Sequence, residues 1–285
     1  MRKDPLAEGD LPDYGDEVFA CEHPSQMERL QALAAVCDPA TKADLSRWEL
    51  PPGARCLEVG AGAGTVSRWL AQRYPGGEVT ATDTDTRFLA ALRHPAVRVL
   101  RHDVRTEDFP CGAFDLIVAR SVLCHLRERD AVLARMVSWL APGGRIYIED
   151  PSFFPAASST DPVVRRTGRA ITATLATSLG SDVETWARSF PAPLRGLGLG
   201  GIGMRVHCST LTSDNAAGAA WRLSMTDLMP VMDRWGILPE ADTAAALAHI
   251  ARPGFVDVAH AMIGMWGVLP SDRRTRRRHL VDQTR

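Results

Sequence analysis

From Cys56 to Pro151, short apolar runs alternate with amphipathic stretches, the pattern of parallel strands joined by crossover helices. The predicted strands are 55–59, 79–82, 97–100, 114–119 and 144–149, with helices at 64–74, 85–92 and 129–140 between them. Pro51-Pro52-Gly53, Pro75-Gly76-Gly77 and Pro142-Gly143-Gly144 punctuate the connections before the first, second and fifth strands. Ahead of this block, residues 26–48 read as two helices broken near Asp38-Pro39. After Asp150 the alternation lapses into a helix with Val163, Val164, Ile171 and Leu175 on one side, and a further helix near 183–195. A Gly-rich strand at 201–208, helices near 217–235 and 240–252, and an apolar strand at 256–268 follow. The expected class is α/β, a Rossmann-like doubly wound sheet with a helical amino-terminal preface and helical insertions late in the chain.

The densest signal is Glu58-Val59-Gly60-Ala61-Gly62-Ala63-Gly64-Thr65, directly between a strand and a helix. Glycines there let backbone and ligand approach closely, and the helix amino terminus is electropositive. In a dinucleotide loop the third Gly falls three residues after the second, whereas here it falls two after, with Thr65 in the expected place. Glu58 would repel a pyrophosphate and attract a cation. Asp83 ends the second strand 19 residues after Gly64, where a carboxylate can accept two ribose hydroxyls; Asp103 follows the third strand 20 residues later, where it can accept an adenine amino group. Each Asp alone reads more readily as a turn or cap residue than as a ligand contact. Three acidic positions at successive strand ends point to a ligand edge.

On these residues the sequence is similar to the class I S-adenosylmethionine-dependent methyltransferases over most of 25–270, and it resembles an actinobacterial group acting on small molecules. Shared stretches are Asp38-Pro39-Ala40-Thr41, Ala81-Thr82-Asp83-Thr84-Asp85-Thr86-Arg87-Phe88-Leu89, Ala119-Arg120-Ser121-Val122-Leu123 and the Trp266-Gly267 ending. The resemblance implies a seven-stranded sheet, mostly parallel with an antiparallel last strand, and S-adenosylmethionine as cofactor. It implies that Glu58 with Gly60, Ala61, Gly62 and Gly64 holds the methionine portion, Asp83 the ribose, and Asp103 with the Val104 amide the adenine. Thr84 would lie beside ribose and adenine, and Arg120 and Ser121 would line the methionine side. Relatives often carry a lid Tyr just before the position of Val18-Phe19; here Glu17 stands there and the nearest Tyr is Tyr14.

Composition narrows the partners. The formal charge is −1 over 285 residues, but six Arg against Asp272 and Asp282 put +4 on 271–285 and leave −5 on the rest. An acidic body is a poor phosphate-binding surface, so no nucleic-acid partner is expected, and the basic end reads as a solubilising tail. No stretch is long and apolar enough to span a bilayer, and the amino terminus lacks the apolar core of a signal peptide, so a cytoplasmic protein without membrane contact is expected. Six scattered cysteines without a CxxC pair suggest free thiols, and no acidic or Cys/His set suggests a metal. A homodimer is an open expectation.

Displacement at an activated methyl needs alignment and a dry pocket more than a universal catalytic residue. His125 follows the fourth strand and reads either as a general base or as a packing histidine at a helix start. Phe19, Phe153, Phe154, Trp221, Met225 and Trp266 lie outside the alternating core and are the expected wall of a fairly apolar acceptor pocket, aromatic or alkaloid-like. Ala119-Arg120-Ser121-Val122 is not the Asn/Asp-Pro-Pro-aromatic sequence of amino-methylating DNA enzymes, and Cys124 lacks the preceding Pro of cytosine methylases. Nicotinamide-dependent oxidoreduction and a non-catalytic binding protein are the competing readings. The expected organisation is a lid or preface at 1–50, a cofactor core at 51–150, cap insertions and final strands at 151–270, and the tail at 271–285.

Overall fold

The computed structural model describes residues 18, 19 and 22–271; Tyr14, Glu17, Cys21 and the Arg-rich tail lie outside the described residues. One seven-stranded sheet runs through the body in the order β3-β2-β1-β4-β5-β7-β6. Its strands are β1 (Arg55–Val59), β2 (Glu78–Asp83), β3 (Val97–Arg101), β4 (Phe114–Arg120), β5 (Leu140–Ser152), β6 (Gly200–Thr212) and β7 (Val256–Val268). Strands β1 to β5 pair in parallel, and β7 lies antiparallel to both β5 and β6. The order reverses between β1 and β4, which opens a crevice at their carboxyl ends.

Alternation along the strands divides the core between two faces. Cys56, Leu116, Val118 and Tyr147 pack on one face against α1 (Gln26–Leu45) and α2 (Thr65–Arg73). Leu57, Ile117, Ile146 and Ile148 pack on the other against α3 (Arg129–Ser138), where Val132, Leu133 and Met136 are buried. Beyond β5 come α4 (Phe154–Ala157), α5 (Pro162–Leu179), α6 (Val183–Arg188) and α7 (Ala192–Gly196), then α8 (Ala216–Arg234) and α9 (Glu240–Ile250). Helix α5 starts on an Asp161 cap that accepts from Val163 and Val164 N–H, and its Val164, Ile171 and Leu175 are buried. Among the described residues no helix is long and apolar enough to cross a membrane.

Three predicted elements differ. Residues 26–45 form a single helix through Pro39, not two. Pro39 costs the ladder one donor, but the turn around it is tied within the helix, by Asp38 to Lys42 (2.8 Å) and by the Thr41 hydroxyl to the Cys37 carbonyl (3.0 Å), and from outside by Asp38 to Arg120 (2.9 Å). The helix expected at 85–92 shrinks to a 3₁₀ turn, Thr86–Leu89, started by Asp85 accepting from Arg87 N–H. The stretch 183–195 is two short helices, because Pro191 cannot continue the first.

Pro39 is exposed, so Pro39→Ala should restore a helix donor without opening a cavity. We expect stability to rise by about 1–3 kcal/mol in urea unfolding. A loss would mean the proline is required by the packing of α1.

Candidate active site

The loop from β1 into α2 carries Gly60, Gly62 and Gly64 at φ of 64°, 52° and 70°, which L side chains rarely adopt. A Cβ at Gly60 would strike Val122, and one at Gly64 would strike Leu89 and Leu92. The end of β2 fixes the loop: Ala61 N–H donates to the Thr82 carbonyl (2.8 Å) and Gly62 N–H to Asp83 Oδ2 (2.9 Å). Asp83 Oδ1 accepts from Asp85 N–H (3.1 Å), and burial still pushes this carboxyl up against those donors. Asp103 is gripped by Arg105, whose Nε and Nη2 donate at 3.0 and 2.9 Å; that pairing holds its carboxyl below the usual range.

Arg120, at the end of β4, donates to Thr41 Oγ1 (3.1 Å) and pairs with Asp38 Oδ1 (2.9 Å), while Thr41 Oγ1 lies 2.5 Å from Glu149 Oε2. Burial works against the guanidinium charge, but Cys37, Glu149, Asp38 and Glu58 around it more than offset this. Glu58 turns away from the crevice to accept from the Ser67 hydroxyl of α2, and burial pushes its carboxyl up to about 7. Ser121 follows at φ 54°, held by its N–H on the Glu149 carbonyl (2.8 Å), a strained non-glycine turn at the mouth of the crevice. Asp150 accepts from Trp186 Nε1 (2.8 Å) and Val122 N–H (3.2 Å), so neither Glu149 nor Asp150 lines the crevice.

A cavity of about 620 Å³ joins these groups. Gly60, Asp83, Thr84, Asp103, Val104, Arg120 and Ser121 line one half, as their sequence positions led one to expect. Glu58, Ala61, Gly62 and Gly64 stand behind that wall. The other half is walled by Phe19, His125, Phe153 and Trp221, joined by Ile171 and Leu175 of α5, by Leu33 and Arg29 of α1, and by His260 of β7. Three expected wall residues are elsewhere. Met225 of α8 is fully buried in the core, and Trp266 stacks on Tyr147 (ring centroids 6.4 Å) under the Arg47 guanidinium, on the far face of the sheet. Phe154 is 39% exposed outside the cavity. The reason for Trp266 is register: it lies opposite Tyr147, deep along β5, whereas the crevice meets β5 only at Pro151.

Sequence reading missed Arg29, Ile171, Leu175 and His260 as wall residues; the apolar side of α5 was the one available signal. Burial, helped by the charge of Arg29, pushes His125 down to about 3, and burial pushes His260 down to about 4. Both imidazoles are neutral near pH 7. The lowered basicity of His125 favours the packing or hydrogen-bonding reading over the general-base one, although a neutral imidazole is the form that either role requires. Among the described residues, no group of three His, Cys, Asp or Glu is placed to hold a metal.

The donor set suits the cofactor that the resemblance implies. Two backbone donors leave lone pairs on Asp83 for ribose hydroxyls, and Asp103 keeps acceptor capacity beside Arg105. Glu58 accepts from Ser67 of α2 and does not line the cavity.

Residues 57–146 match the methyltransferase domain family. Methyltransferase str2 of Strobilurus tenacellus is 35% identical over 120 residues, 41% of this chain and 43% of the relative. Trans-aconitate 2-methyltransferase of Variovorax paradoxus is 34% identical over 109 residues, 38% of this chain and 42% of the relative. Phosphoethanolamine N-methyltransferase 3 of Arabidopsis thaliana is 28% identical over 42% of this chain and 26% of its own length. The chain thus spans from a quarter to under half of the curated relatives it matches. Among solved structures, Haemonchus contortus phosphoethanolamine N-methyltransferase 2, in complex with phosphomonomethylethanolamine and S-adenosylhomocysteine, superposes with TM-score 0.57 at 16% identity, covering 91% of this chain and 61% of that one. The YcgJ protein of Bacillus subtilis superposes with TM-score 0.54 at 15% identity, covering 82% of this chain and 100% of that one. These likenesses establish the fold.

Glu58 makes stability pH-dependent. The folded chain keeps its proton to about pH 7, whereas an unfolded chain releases it near 4.5, so this contribution is full below 4.5 and lost as pH rises through 7. Glu58→Gln should therefore lose less melting temperature than the parent between pH 5 and 8. Parallel curves would place the titration elsewhere.

Proposed function

We propose that the chain, whose residues 57–146 match the methyltransferase domain family, transfers the methyl group of S-adenosylmethionine to a small, fairly apolar metabolite, aromatic or alkaloid-like, as a tailoring step at an oxygen, nitrogen or carbon nucleophile. The observation that carries this reading is the junction, in one cavity, of Asp83 and Asp103 at successive strand ends with an apolar chamber on the far side of Arg120 and Ser121. The cofactor supplies an already activated methyl carbon. The protein's part is to place it: Asp83 holds the ribose, Asp103 and the Val104 amide the adenine, and the Gly60–Gly64 turn with Ser121 the methionine end.

Phe19 closes the chamber from the amino-terminal side. Its ring lies under the Arg29 guanidinium (4.0 Å) and edge-on to His125 (6.3 Å), and the Gln26 amide donates to its carbonyl (2.5 Å). Excluding water there strengthens alignment and protects the activated methyl. The division 1–50, 51–150 and 151–270 then corresponds to lid, cofactor core and acceptor cap.

Titration calorimetry with S-adenosylhomocysteine and with NADH tests the reading. We expect the first to bind and the second not, and Asp83→Ala to weaken the first by roughly 10- to 100-fold, the worth of a charged hydrogen bond. NADH binding without a response to S-adenosylhomocysteine would overturn it. His125→Ala should leave S-adenosylhomocysteine affinity unchanged, because the imidazole faces the other half of the cavity.

A further inference from the structure

The acceptor half has a length, a charge state and a polar end that together describe its ligand. Arg120 and Ser121 end β4, while Phe153 and His260 stand just past the Ser152–Ala261 pairing of β5 with β7. From β4 to β7 is two strand spacings, about 10 Å between backbones, which limits a ligand lying along it to about two fused aromatic rings. Phe153 occupies the middle of this span, flanked by Trp221 (centroids 6.0 Å) and His260 (5.5 Å, interplanar 37°). Ile171 and Leu175 of α5 complete an apolar slot.

The cations that border the slot are already paired. Arg120 at its mouth holds Asp38 Oδ1 at 2.9 Å, and Asp227 Oδ2 lies 3.5 Å from Arg29 Nε while that guanidinium covers Phe19. Ser25 and His23 share the same carboxylate, with Ser25 Oγ donating at 3.2 Å. The two imidazoles are uncharged at neutral pH, since burial holds both protonation steps well below it. A phosphate or tricarboxylate would shed its hydration without gaining an unshared cation.

We propose that the acceptor is an uncharged, planar molecule of about two fused aromatic rings, packed between Phe153, Trp221 and the α5 side chains, and that His260 selects it by hydrogen-bonding a polar group at the end remote from the transferred methyl. This deepens the methyltransferase reading and rests on it for which end faces the cofactor. It also separates the chain from relatives named for phosphoethanolamine and trans-aconitate. His260 is a specificity residue with no counterpart in the glycine-loop constellation.

The test uses the full chain saturated with S-adenosylhomocysteine at pH 7, titrated with 2-naphthol, 2-naphthoate, phosphoethanolamine and trans-aconitate. We expect 2-naphthol to bind, 2-naphthoate to bind at least about tenfold more weakly, and the two polar acids to give no saturable heat. His260→Phe should weaken 2-naphthol roughly three- to tenfold, with S-adenosylhomocysteine affinity unchanged and partial recovery in His260→Asn. No binding of 2-naphthol, equal or tighter binding of any of the three anions, or unchanged 2-naphthol affinity in His260→Phe would overturn the proposal. Should S-adenosylhomocysteine itself fail to bind, the methyltransferase reading falls, and the same titrations on the cofactor-free chain still decide the character of the slot.

Discussion

The buried guanidinium of Arg120 is the constraint around which the site is arranged. An unpaired cation at that depth would be severely penalised, so its neighbours are obliged to answer it: Asp38 and Thr41 from α1, Glu149 from β5, and Glu58 across the sheet. Burial alone would raise the Asp38 carboxyl, yet Arg120 and Lys42 hold it below the usual range. Helix α1 is thereby fastened to the carboxyl edge of the sheet in one register. Its far end is fastened too, through Asp44, which accepts from the Tyr147 hydroxyl (3.1 Å) and pairs with Arg47 and Arg205.

Fixing α1 has two consequences for the cavity. Thr65 at the start of α2 donates to Asp38 (3.1 Å), so the glycine loop and α1 share an anchor. The amino-terminal turn of α1 then brings Gln26 and Arg29 to Phe19, closing the apolar half while Arg120 closes the polar half. Backbone strain gathers at the same boundary: Ser121 and Phe19 are the two non-glycine residues with positive φ among the described residues, at 54° and 55°. One half of the cavity is built on rigid strand ends and the other on elements that reach over them, which separates cofactor placement from acceptor choice.

The legible parts of the site were those that depend on local geometry. Glycines at Gly60, Gly62 and Gly64 are needed where the chain turns with positive φ, and Asp83 and Asp103 fall where parallel strands end, so spacing alone located them. Glu58 was found by position, but its direction was not: one rotation about β1 sends it to Ser67 rather than to the ligand. Met225 and Trp266 were misplaced for a related reason. Aromaticity and position outside the core repeat do not say which face of a strand or helix a side chain takes, and the pairing of Trp266 with Tyr147 decided it.

Hydrophobic periodicity and turn chemistry therefore determined the α/β class, the five parallel strands, the glycine loop and the order of the carboxylates, because each is set within a few consecutive residues. Tertiary structure decided the rest. Helix α1 runs through Pro39 because side-chain ties from Arg120 and Lys42 outweigh one missing hydrogen bond. His125 is a weak base because burial penalises its charged form, and His260 reaches the site because β7 runs antiparallel to β5 and extends past its end, where Ser152 pairs with Ala261. These outcomes depend on contacts between residues far apart in the chain, and on the dielectric that only the packed interior creates.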